Sequence, residues 1–347
     1  MQFPQTPEAL SPGWLSSVLQ TDVAAIDWAQ IGATQGFSGG TLVRMALHYR
    51  EQQSDAPPSL VAKFAPSDPV RRAAFAAANA REVAIYTRST DCPPPPAPRC
   101  YFASADAKTG ASLLVLEDLN TASPFDFQTG ASARQAASIL RALAGVHAAH
   151  WSKDRPADLP APDPLTRFDA AQAWAEYPRA LTKLLPGHTL PDPFVALCER
   201  VCLGYRPPPG PQTLTHGDLQ IDNIRLASDG TPRLLDWQLS GWGHGACDLA
   251  YFLASSLAPA TRRCAASDLI ATYHDALLQG GVTGYTLRSC HADIRLGIAS
   301  KVLTTVVATT QLDNSSPSKI AWRATDLARL GAFCEDNAIT ARDFEAD

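Results

Sequence analysis

The sequence predicts an α+β protein, with a small antiparallel sheet and one helix at its start and a larger, mostly helical part after it. Short β-like runs and turns alternate before Asn120, and long alanine- and leucine-rich stretches with helical periodicity follow. This change of pattern divides the chain into residues 1–117 and 118–347. A length of 347 residues is sufficient for two lobes of this kind.

Three β-like runs and one helix make up the predicted sheet part. The runs are TLVRMALHY (41–49), SLVAKFA (59–65) and SLLVLEDL (112–119), and the helix-compatible stretch AAFAAANAREVAIYTRS covers residues 73–89. Proline lacks the backbone N–H that helices and central strands need. The segment CPPPPAPRC (92–100) therefore predicts a stiff, extended connector from the helix to the next strand.

Five helices and a hairpin are predicted in the second part. Two short β-like runs, IRLA and RLLDW, flank the turn SDGTP, which is typical of a β-hairpin. The predicted helices are ASARQAASILRALAGVHAAHW (131–151), PDPFVALCERVCLGY (191–205), CDLAYFLASSL (247–257), TRRCAASDLIATYHDALLQG (261–280) and RSCHADIRLGIASKVLTTVVATT (288–310).

Composition excludes several classes of partner. The net charge is -5 and no block of Lys or Arg is present, so the electrostatic footprint of a nucleic-acid or anionic-lipid binder is absent. The first residues lack a basic region followed by an apolar core, and no run approaches the roughly 18 apolar residues of a membrane span. We expect a cytoplasmic protein, and the sequence carries no signal for an oligomeric state.

Cysteine and histidine spacing does not favour a metal site. The eight cysteines are scattered without CxxC pairs. Cys198 and Cys202 lie one helical turn apart, which is typical of buried core side chains. His147 and His150 share one helix, but a zinc site would need a third ligand, so we interpret both as helix-face residues.

Three oxygen-bearing side chains follow the spacing that phosphoryl transfer requires. Asp218 stands in the triplet HGD, Asn223 follows five residues later, and Asp236 ends the apolar run RLLD. Such chemistry needs a carboxylate that accepts the acceptor hydroxyl's proton, an amide that holds a metal ion, and a second carboxylate that bridges metal and phosphates. HGD alone is a common turn, but the combination predicts that the three side chains converge on Mg²⁺ beside a nucleotide.

An ion pair is predicted between Lys63 and Glu82. Strand alternation places Lys63 opposite the apolar side chains of SLVAKFA, and Glu82 lies nineteen residues later on the predicted helix. In a nucleotide site such a lysine steadies the α- and β-phosphates while the glutamate holds it in place. The alternative interpretation of Lys63 is a solvated residue of an edge strand.

A glycine turn precedes the first predicted strand. GFSGGTLVR (36–44) contains Ser38, Gly39 and Gly40, and a turn of this kind lets backbone N–H groups approach phosphate oxygens closely. The P-loop pattern GxxxxGK[ST] is absent, so the turn would cover the phosphates as a lid. An ordinary hairpin turn is the alternative.

The end of SLLVLEDL is predicted to hold the purine. Its backbone would connect the two parts of the chain and remain free to pair with the edge of the base, with ATP as the expected nucleotide and GTP left open. The residues of this connector are Leu116, Glu117, Asp118 and Leu119.

Two residues are predicted to support the loop rather than react. Asp248 lies twelve residues beyond Asp236 at the start of a predicted helix, where a carboxylate interacts favourably with the helix dipole. We interpret it as a brace for the catalytic loop. His216, in the same HGD triplet as Asp218, is the second supporting residue.

These motifs resemble those of the aminoglycoside phosphotransferase and choline kinase superfamily. HGDLQIDN and LLDWQLSGWGHGACDLAYFL are especially similar to the ecdysteroid kinase-like (CHK kinase-like) branch. The resemblance implies a two-lobed, protein-kinase-like fold that uses Mg²⁺ to transfer the γ-phosphate of ATP to a hydroxyl of a small molecule. It makes Asp218 the catalytic base, Asn223 and Asp236 the metal ligands, Lys63 the phosphate-binding lysine and Glu82 its partner.

Two departures from protein kinases bear on the substrate. Gly217 replaces the arginine that reads a phosphorylated activation loop, and only eleven residues separate Asp236 from Asp248, too few for a peptide platform. A protein substrate is therefore disfavoured. Gln220 stands where many kinases carry a lysine beside the γ-phosphate, so one positive charge is missing there.

The predicted acceptor is a neutral or apolar alcohol such as a steroid, macrolide or terpenoid. Polycations such as aminoglycosides need many carboxylates, and residues 151–200 contain few. A cationic acceptor and a catalytically silent nucleotide-binding module are the alternatives. Residues predicted to contact the acceptor are Gln220, Trp174, Tyr177 and Trp322, although aromatic side chains on helices are more often core.

Overall fold

The computed structural model divides into two compact units and confirms the predicted α+β class. The first unit comprises residues 1–122 with 235–239, and the second comprises residues 123–234 with 240–347. The structure describes residues 3–31, 39–51, 55–87, 95–119, 123–155, 169–204, 210–227, 229–311 and 316–345.

Five antiparallel strands form the sheet of the first unit, in the order β1-β2-β3-β5-β4 within the described residues. The sequence predicted β2, β3 and β5 but missed β1 and β4. In β1 only Val23 is buried, because this edge strand exposes most of both faces, so no alternation marks it. The elements are α1 (Pro12–Leu19), β1 (Val23–Gln30), β2 (Thr41–Tyr49), β3 (Ser59–Phe64), α2 (Pro69–Thr87), β4 (Cys100–Ala105) and β5 (Ser112–Glu117).

Strand β3 presents its apolar side chains to one face of the sheet and Lys63 to the other. Leu60, Ala62 and Phe64 are buried in the core that α1 covers. Helix α2 contacts β4 and β5, and its Val83 packs in a second apolar cluster with side chains of β5. The alternation of β3 is thus as predicted, and it leaves the Lys63 side chain out of the larger core.

Helices dominate the second unit. Helix α6 packs against α8 and α9, α4 packs against α8, and α3 packs against α7. Its elements are β6 (Ser123–Pro124), α3 (Ala133–His150), α4 (Ala170–Leu184), α5 (Asp192–Gly204), β7 (Gln212–Thr215), β8 (Ile224–Leu226), β9 (Pro232–Leu234), β10 (Gly241–His244), α6 (Ala246–Ser255), α7 (Pro259–Gln279), α8 (Leu287–Gln311) and α9 (Pro317–Asp336).

The predicted hairpin is confirmed as β8 and β9, which pair antiparallel with Ile224 opposite Leu234. Strands β6, β8 and β9 form one small sheet, and β7 pairs with β10 in another. Cys198 and Cys202 of α5 are buried, as predicted. Loop 216–223 joins β7 to β8, so two short sheets position it at both ends.

Two long helices were not predicted, for different reasons. Helix α4 contains Pro178, which disfavours a helix interior, but its buried stripe of Tyr177, Leu181 and Leu184 follows helical spacing. In α9 the buried face includes the charged Arg323 and Asp326, which hide the apolar periodicity. Tertiary packing, rather than local pattern, accounts for both helices.

None of the helices among the described residues combines the length and apolar character needed to cross a membrane.

Candidate functional site

Lys63, Glu82 and Asp236 form an ion-pair cluster in the first unit. The Lys63 Nζ lies 2.9 and 2.7 Å from the two carboxylate oxygens of Glu82 and 2.9 Å from Oδ1 of Asp236. The predicted pairing of Lys63 with Glu82 is confirmed. The Glu82 side chain is 3% exposed whereas that of Asp236 is 42% exposed, so one carboxylate is a buried anchor and the other is open to solvent.

The charged groups of this cluster stabilise one another's ionised forms. Burial alone would lower the pKa of Lys63, but the carboxylates of Asp236 and Glu82 outweigh it and raise that pKa. Burial raises the pKa of Glu82, although Lys63 and the backbone N–H of Trp237 stabilise its charged form. Lys63 therefore stays a cation, which is the state that can hold a phosphate.

The segment around Asp236 is fastened to α2. Asp236 follows β9 by two residues and adopts φ 62°, a left-handed conformation that is uncommon for a residue with a side chain. Just beyond it, Arg81 donates to the backbone carbonyl of Gln238, and the Gln238 side chain donates to Oδ1 of Asn79 at 2.8 Å. Both partners lie on α2, the helix that carries Glu82.

Loop 216–223 brings Asp218 and Asn223 together in the second unit. The Asn223 Nδ2 donates to the backbone carbonyl of Asp218 at 3.0 Å and to its Oδ2 at 2.9 Å. A turn of 3₁₀-helix over Ile221–Asn223 folds the loop back, so a spacing of five residues becomes direct contact. Gln220 lies beside them, with its Nε2 3.4 Å from Oδ2 of Asp218. With Nδ2 committed to Asp218, the amide oxygen is the Asn223 atom suited to a cation.

A tyrosine that sequence reasoning missed also contacts Asp218. The hydroxyl of Tyr251 donates to Oδ1 of Asp218 at 2.6 Å, and Tyr251 is only 2% exposed. Burial and the Asp218 charge raise the pKa of Tyr251 well above its usual value, so it is a donor at neutral pH. A signal was available, because Tyr251 lies three residues after Asp248 and therefore on the same side of α6.

Asp248 makes the contacts that the predicted bracing role requires. Its Oδ2 accepts the backbone N–H of His216 at 2.6 Å and its Oδ1 accepts that of Gly217 at 2.9 Å. Burial alone would raise the pKa of Asp248, but hydrogen bonds from His147 and Gly217 and nearby histidine charge lower it. The charged carboxylate thus holds the backbone immediately before Asp218.

His147, interpreted from its spacing as a helix-face residue, lies on a buried face of α3. His147 is fully buried, its Nε2 lies 3.2 Å from Oδ2 of Asp248, and its Nδ1 lies 2.7 Å from the hydroxyl of Tyr273. Gly245 leaves room for this contact, since a Cβ there would lie 2.8 Å from the His147 Nδ1. The histidine therefore supports the same carboxylate that holds the loop, a long-range contact that its spacing along α3 did not reveal. His150, the second histidine of α3, is also buried, and its Nδ1 lies 2.9 Å from the backbone carbonyl of Val146.

The predicted purine-binding connector is partly committed to the sheet. The backbone N–H of Glu117 donates to the carbonyl of Arg99 at 2.8 Å, so the expectation of an entirely free backbone is wrong there. Strand β5 extends through Glu117, because β3 and β4 continue to pair with it on both sides. The Asp118 carboxylate accepts from Ser59 at 2.7 Å and pairs with Arg44 at 2.9 Å. Base binding by Leu116 to Leu119 stays a prediction.

Part of the glycine turn is described. Gly39 has φ +69°, a conformation that favours glycine, and a Cβ at this position would lie 3.0 Å from the guanidinium carbon of Arg71. Ser38 lies outside the described residues. Phosphate binding by this turn stays a prediction.

The predicted acceptor-contacting residues differ in their surroundings. Trp322 Nε1 donates to Oδ2 of Asp222 at 2.6 Å, and its ring stacks on Phe127 at 4.5 Å. Trp174 stacks on Tyr177 at 5.7 Å. Tyr177 is buried, and within the described part of the chain its hydroxyl has no hydrogen-bond partner. Trp322 thus contacts loop 216–223 directly, at the residue next to Asn223.

Comparisons with known proteins bear on the family and the fold. The sequence profile of the phosphotransferase enzyme family, APH, matches residues 36–289. A Ralstonia eutropha JMP134 structure provisionally described as an aminoglycoside phosphotransferase is 15% identical over 95% of this chain and 97% of that chain, with a TM-score of 0.55. This likeness shows the fold. No curated protein sequence matches the chain.

Two further solved structures are more distant in shape. A choline/ethanolamine kinase family protein from Mesorhizobium loti is 15% identical, with 92% of each chain covered and a TM-score of 0.47. A macrolide 2′-phosphotransferase from Brachybacterium faecium is 18% identical, with 91% of this chain and 95% of that chain covered and a TM-score of 0.44.

Proposed function

The chain belongs to the phosphotransferase enzyme family, and on that premise we propose that it transfers the γ-phosphate of ATP to a hydroxyl of a small, neutral or apolar alcohol. The observation that carries this proposal is the position of Asp218, whose carboxylate accepts from Asn223 at 2.9 Å and from Tyr251 at 2.6 Å. A carboxylate oriented this closely in a partly exposed loop is suited to receive a proton from an acceptor.

Asp218 is the proposed base. It accepts a hydrogen bond from the acceptor hydroxyl, whose oxygen attacks the γ-phosphorus while the bond to the β–γ bridging oxygen breaks. ADP leaves with that electron pair, and the hydroxyl proton passes to Asp218 and then to water. General base catalysis typically contributes about 10² to 10⁴ in rate, and in a loose transition state much of it comes from positioning.

Mg²⁺ is the proposed cofactor, held by Asn223 and Asp236. An amide oxygen and one carboxylate are the ligands that Mg²⁺ accepts alongside waters and phosphate oxygens. Both donors are hard oxygen atoms, so this donor set fits Mg²⁺ better than zinc. When bound, Mg²⁺ neutralises phosphate charge. Lys63 is proposed to steady the α- and β-phosphates, with Glu82 holding its ammonium group.

The surroundings of Asp218 favour a neutral or apolar acceptor. Asp326 is paired with Lys301 at 2.8 Å, and Arg323 lies within electrostatic reach of Asp218. Asp222, the other carboxylate near Asp218, accepts a hydrogen bond from Trp322, so a polycation would meet Arg323 and carboxylates that already have partners. The resemblance of the catalytic motifs to the ecdysteroid kinase-like branch also favours a steroid-like alcohol over an aminoglycoside or choline.

ADP release measured over an acceptor panel tests this proposal. The panel contains a hydroxysteroid, a macrolide, a terpenoid alcohol, choline and an aminoglycoside, each with ATP and Mg²⁺, and mass spectrometry identifies the phosphorylated product. We expect a neutral alcohol to be phosphorylated and Asp218→Asn to lower turnover by about 10² to 10⁴. Asp229→Asn is the matched control, because Asp229 is an exposed residue of the neighbouring hairpin turn.

Two outcomes would contradict the proposal. A cationic compound as the best acceptor would overturn the acceptor class. ATP binding without phosphorylation of any acceptor would favour a catalytically silent nucleotide-binding module.

A further inference from the structure

The carboxylate of Asp218 is held from two directions by different parts of the second unit. Asn223, five residues away in the same loop, donates to Oδ2, whereas Tyr251 of α6 donates to Oδ1. The donors from the loop, Asn223 and Gln220, both contact Oδ2. The bond from Tyr251, 2.6 Å long and from a buried side chain of a helix, restrains the other oxygen.

Behind Tyr251 lies a buried ion pair. The Lys301 Nζ of α8 is 4.6 Å from the centre of the Tyr251 ring, and it also lies 2.8 and 2.9 Å from the two carboxylate oxygens of Asp326 on α9. Lys301 is 1% exposed and Asp326 is fully buried. Thr305 completes the group, with its hydroxyl 3.4 Å from Oδ2 of Asp326.

Such an ion pair is poorly explained by stability alone. Removing two charges from water costs about as much as their attraction returns, and a packed apolar pair is often as stable. What the ion pair contributes is the position of the neighbouring Tyr251 side chain. The cation lies against the ring face of Tyr251 and restricts its tilt, so the phenol hydroxyl stays directed at Asp218. Side chains from three helices, α6, α8 and α9, therefore contribute to the orientation of the Asp218 carboxylate.

We propose that Tyr251 is a positioning residue for phosphoryl transfer: it fixes the rotamer of the Asp218 side chain, and Lys301 with Asp326 holds Tyr251 in place. The inference rests on the proposed function, because it assigns Asp218 the role of base. Tyr251 itself does not touch the nucleotide or the acceptor in this scheme. The competing explanation is that Asp218 merely satisfies the buried hydroxyl of a core tyrosine.

Tyr251→Phe separates the two explanations, with Tyr285→Phe as its matched control. Tyr285 is also largely buried, and its hydroxyl also donates to a carboxylate, Oδ2 of Asp293 at 2.8 Å. Both variants lose one hydroxyl and one tyrosine–aspartate hydrogen bond. A structural role predicts similar losses of melting temperature and similar turnover in the two variants.

The positioning role predicts a split between binding and turnover. The assay contains ATP, Mg²⁺ and the best alcohol of the panel. We expect Tyr251→Phe to lower kcat by about 10- to 100-fold, because the hydrogen bond that it loses orients the proposed base. The KM for ATP should stay at the wild-type value, and Tyr285→Phe should keep its kcat. Equal kcat in the two variants, with an active wild type, would overturn the positioning role and leave the proposed function intact.

A wild type that phosphorylates nothing would overturn the proposed function, and the positioning role would fall with it. A second measurement covers the case in which Tyr251→Phe does not fold. In protein labelled with ¹³C at the tyrosine Cζ, Asp218→Asn should shift the NMR signal of Tyr251 and leave that of Tyr285 unchanged. An unshifted Tyr251 signal would contradict the contact on which the inference depends.

Discussion

Asp236 and Asp218, the two carboxylates with proposed roles in the reaction, are held in opposite ways. Asp236 is 42% exposed and its side chain pairs with Lys63, a lysine that it shares with Glu82. Asp218 instead accepts from a tyrosine and an amide, in a loop whose backbone is fastened to Asp248. Charge holds the first carboxylate, and directed hydrogen bonds hold the second.

This difference suits two different tasks. An ion pair has little directional preference, so Lys63 can exchange the solvent-exposed Asp236 for phosphate oxygens while the buried Glu82 keeps it in place. Hydrogen bonds are directional, and a base that must align with one hydroxyl benefits from them. We therefore propose that the Lys63 cluster binds the nucleotide and that the Asp218 loop serves the transfer step.

Lys63→Met should give the largest loss of stability. It leaves the Glu82 carboxylate, 3% exposed, without its cation, and such an uncompensated buried charge costs about 3 kcal/mol in the free energy of unfolding. Urea denaturation measures this cost. Arg50→Met is the control, because the pair of Arg50 with Asp22 is well exposed and contributes little. Equal effects of the two substitutions would show that Lys63 is not a structural anchor.

Asp248→Asn should cost less, about 1.5 to 3 kcal/mol, because it weakens charge-assisted bonds to two backbone amides. Those amides belong to His216 and Gly217, so turnover should fall together with stability. Urea denaturation and ADP release on the same samples test this coupling. Unchanged turnover in a destabilised variant would show that the bracing of the loop does not reach Asp218.

The pH dependence of that cost has a defined sign. The folded protein lowers the pKa of Asp248, so the stabilisation is fully present above the unfolded value of about 3.9 and is lost as the pH falls through the folded pKa. The difference in unfolding free energy between wild type and Asp248→Asn should therefore be constant near neutral pH and shrink in acid. A difference that grows below pH of about 4 would contradict the assignment.

Gly245→Ala should have the smallest of these effects, about 1 to 2 kcal/mol from steric crowding. The added Cβ would lie 2.8 Å from Nδ1 of His147 and 3.1 Å from the hydroxyl of Tyr273. Gly331→Ala is the control, since a Cβ at that position meets no atom within 4 Å. Thermal unfolding compares the two, and a Gly245→Ala variant as stable as Gly331→Ala would show that the His147 contact can shift freely.

Local spacing explains what the sequence could predict. The alternation of β3 identified the face of Lys63, the five-residue spacing grouped Asp218 with Asn223, and the turn SDGTP identified the hairpin. Each of these depends on residues that are close in sequence or on a strongly patterned strand. The pairing of Lys63 with Glu82 could be predicted because the helix that carries Glu82 follows β3 directly.

Long-range packing explains what the sequence could not predict. Tyr251 reaches Asp218 across 33 positions and His147 reaches Asp248 across 101, so neither contact follows from local spacing alone. The position of Tyr251 three residues after Asp248 was the one available signal, and it concerned only the first contact. Helix α9 was hidden because its buried face includes the charged Asp326, whose partner Lys301 lies on another helix. Of the side chains that hold the loop, sequence reasoning identified Asp248 but missed Tyr251 and His147.

The most direct test of the division between nucleotide binding by the Lys63 cluster and transfer by the Asp218 loop uses two variants, Asp218→Asn and Lys63→Met. Calorimetry measures their binding of ATP with Mg²⁺, and ADP release measures turnover in the same samples. We predict that Asp218→Asn binds ATP with wild-type affinity while its turnover falls by about 10² or more, and that Lys63→Met loses affinity by about tenfold or more. Wild-type turnover in Asp218→Asn, or wild-type ATP affinity in Lys63→Met, would contradict this division of tasks.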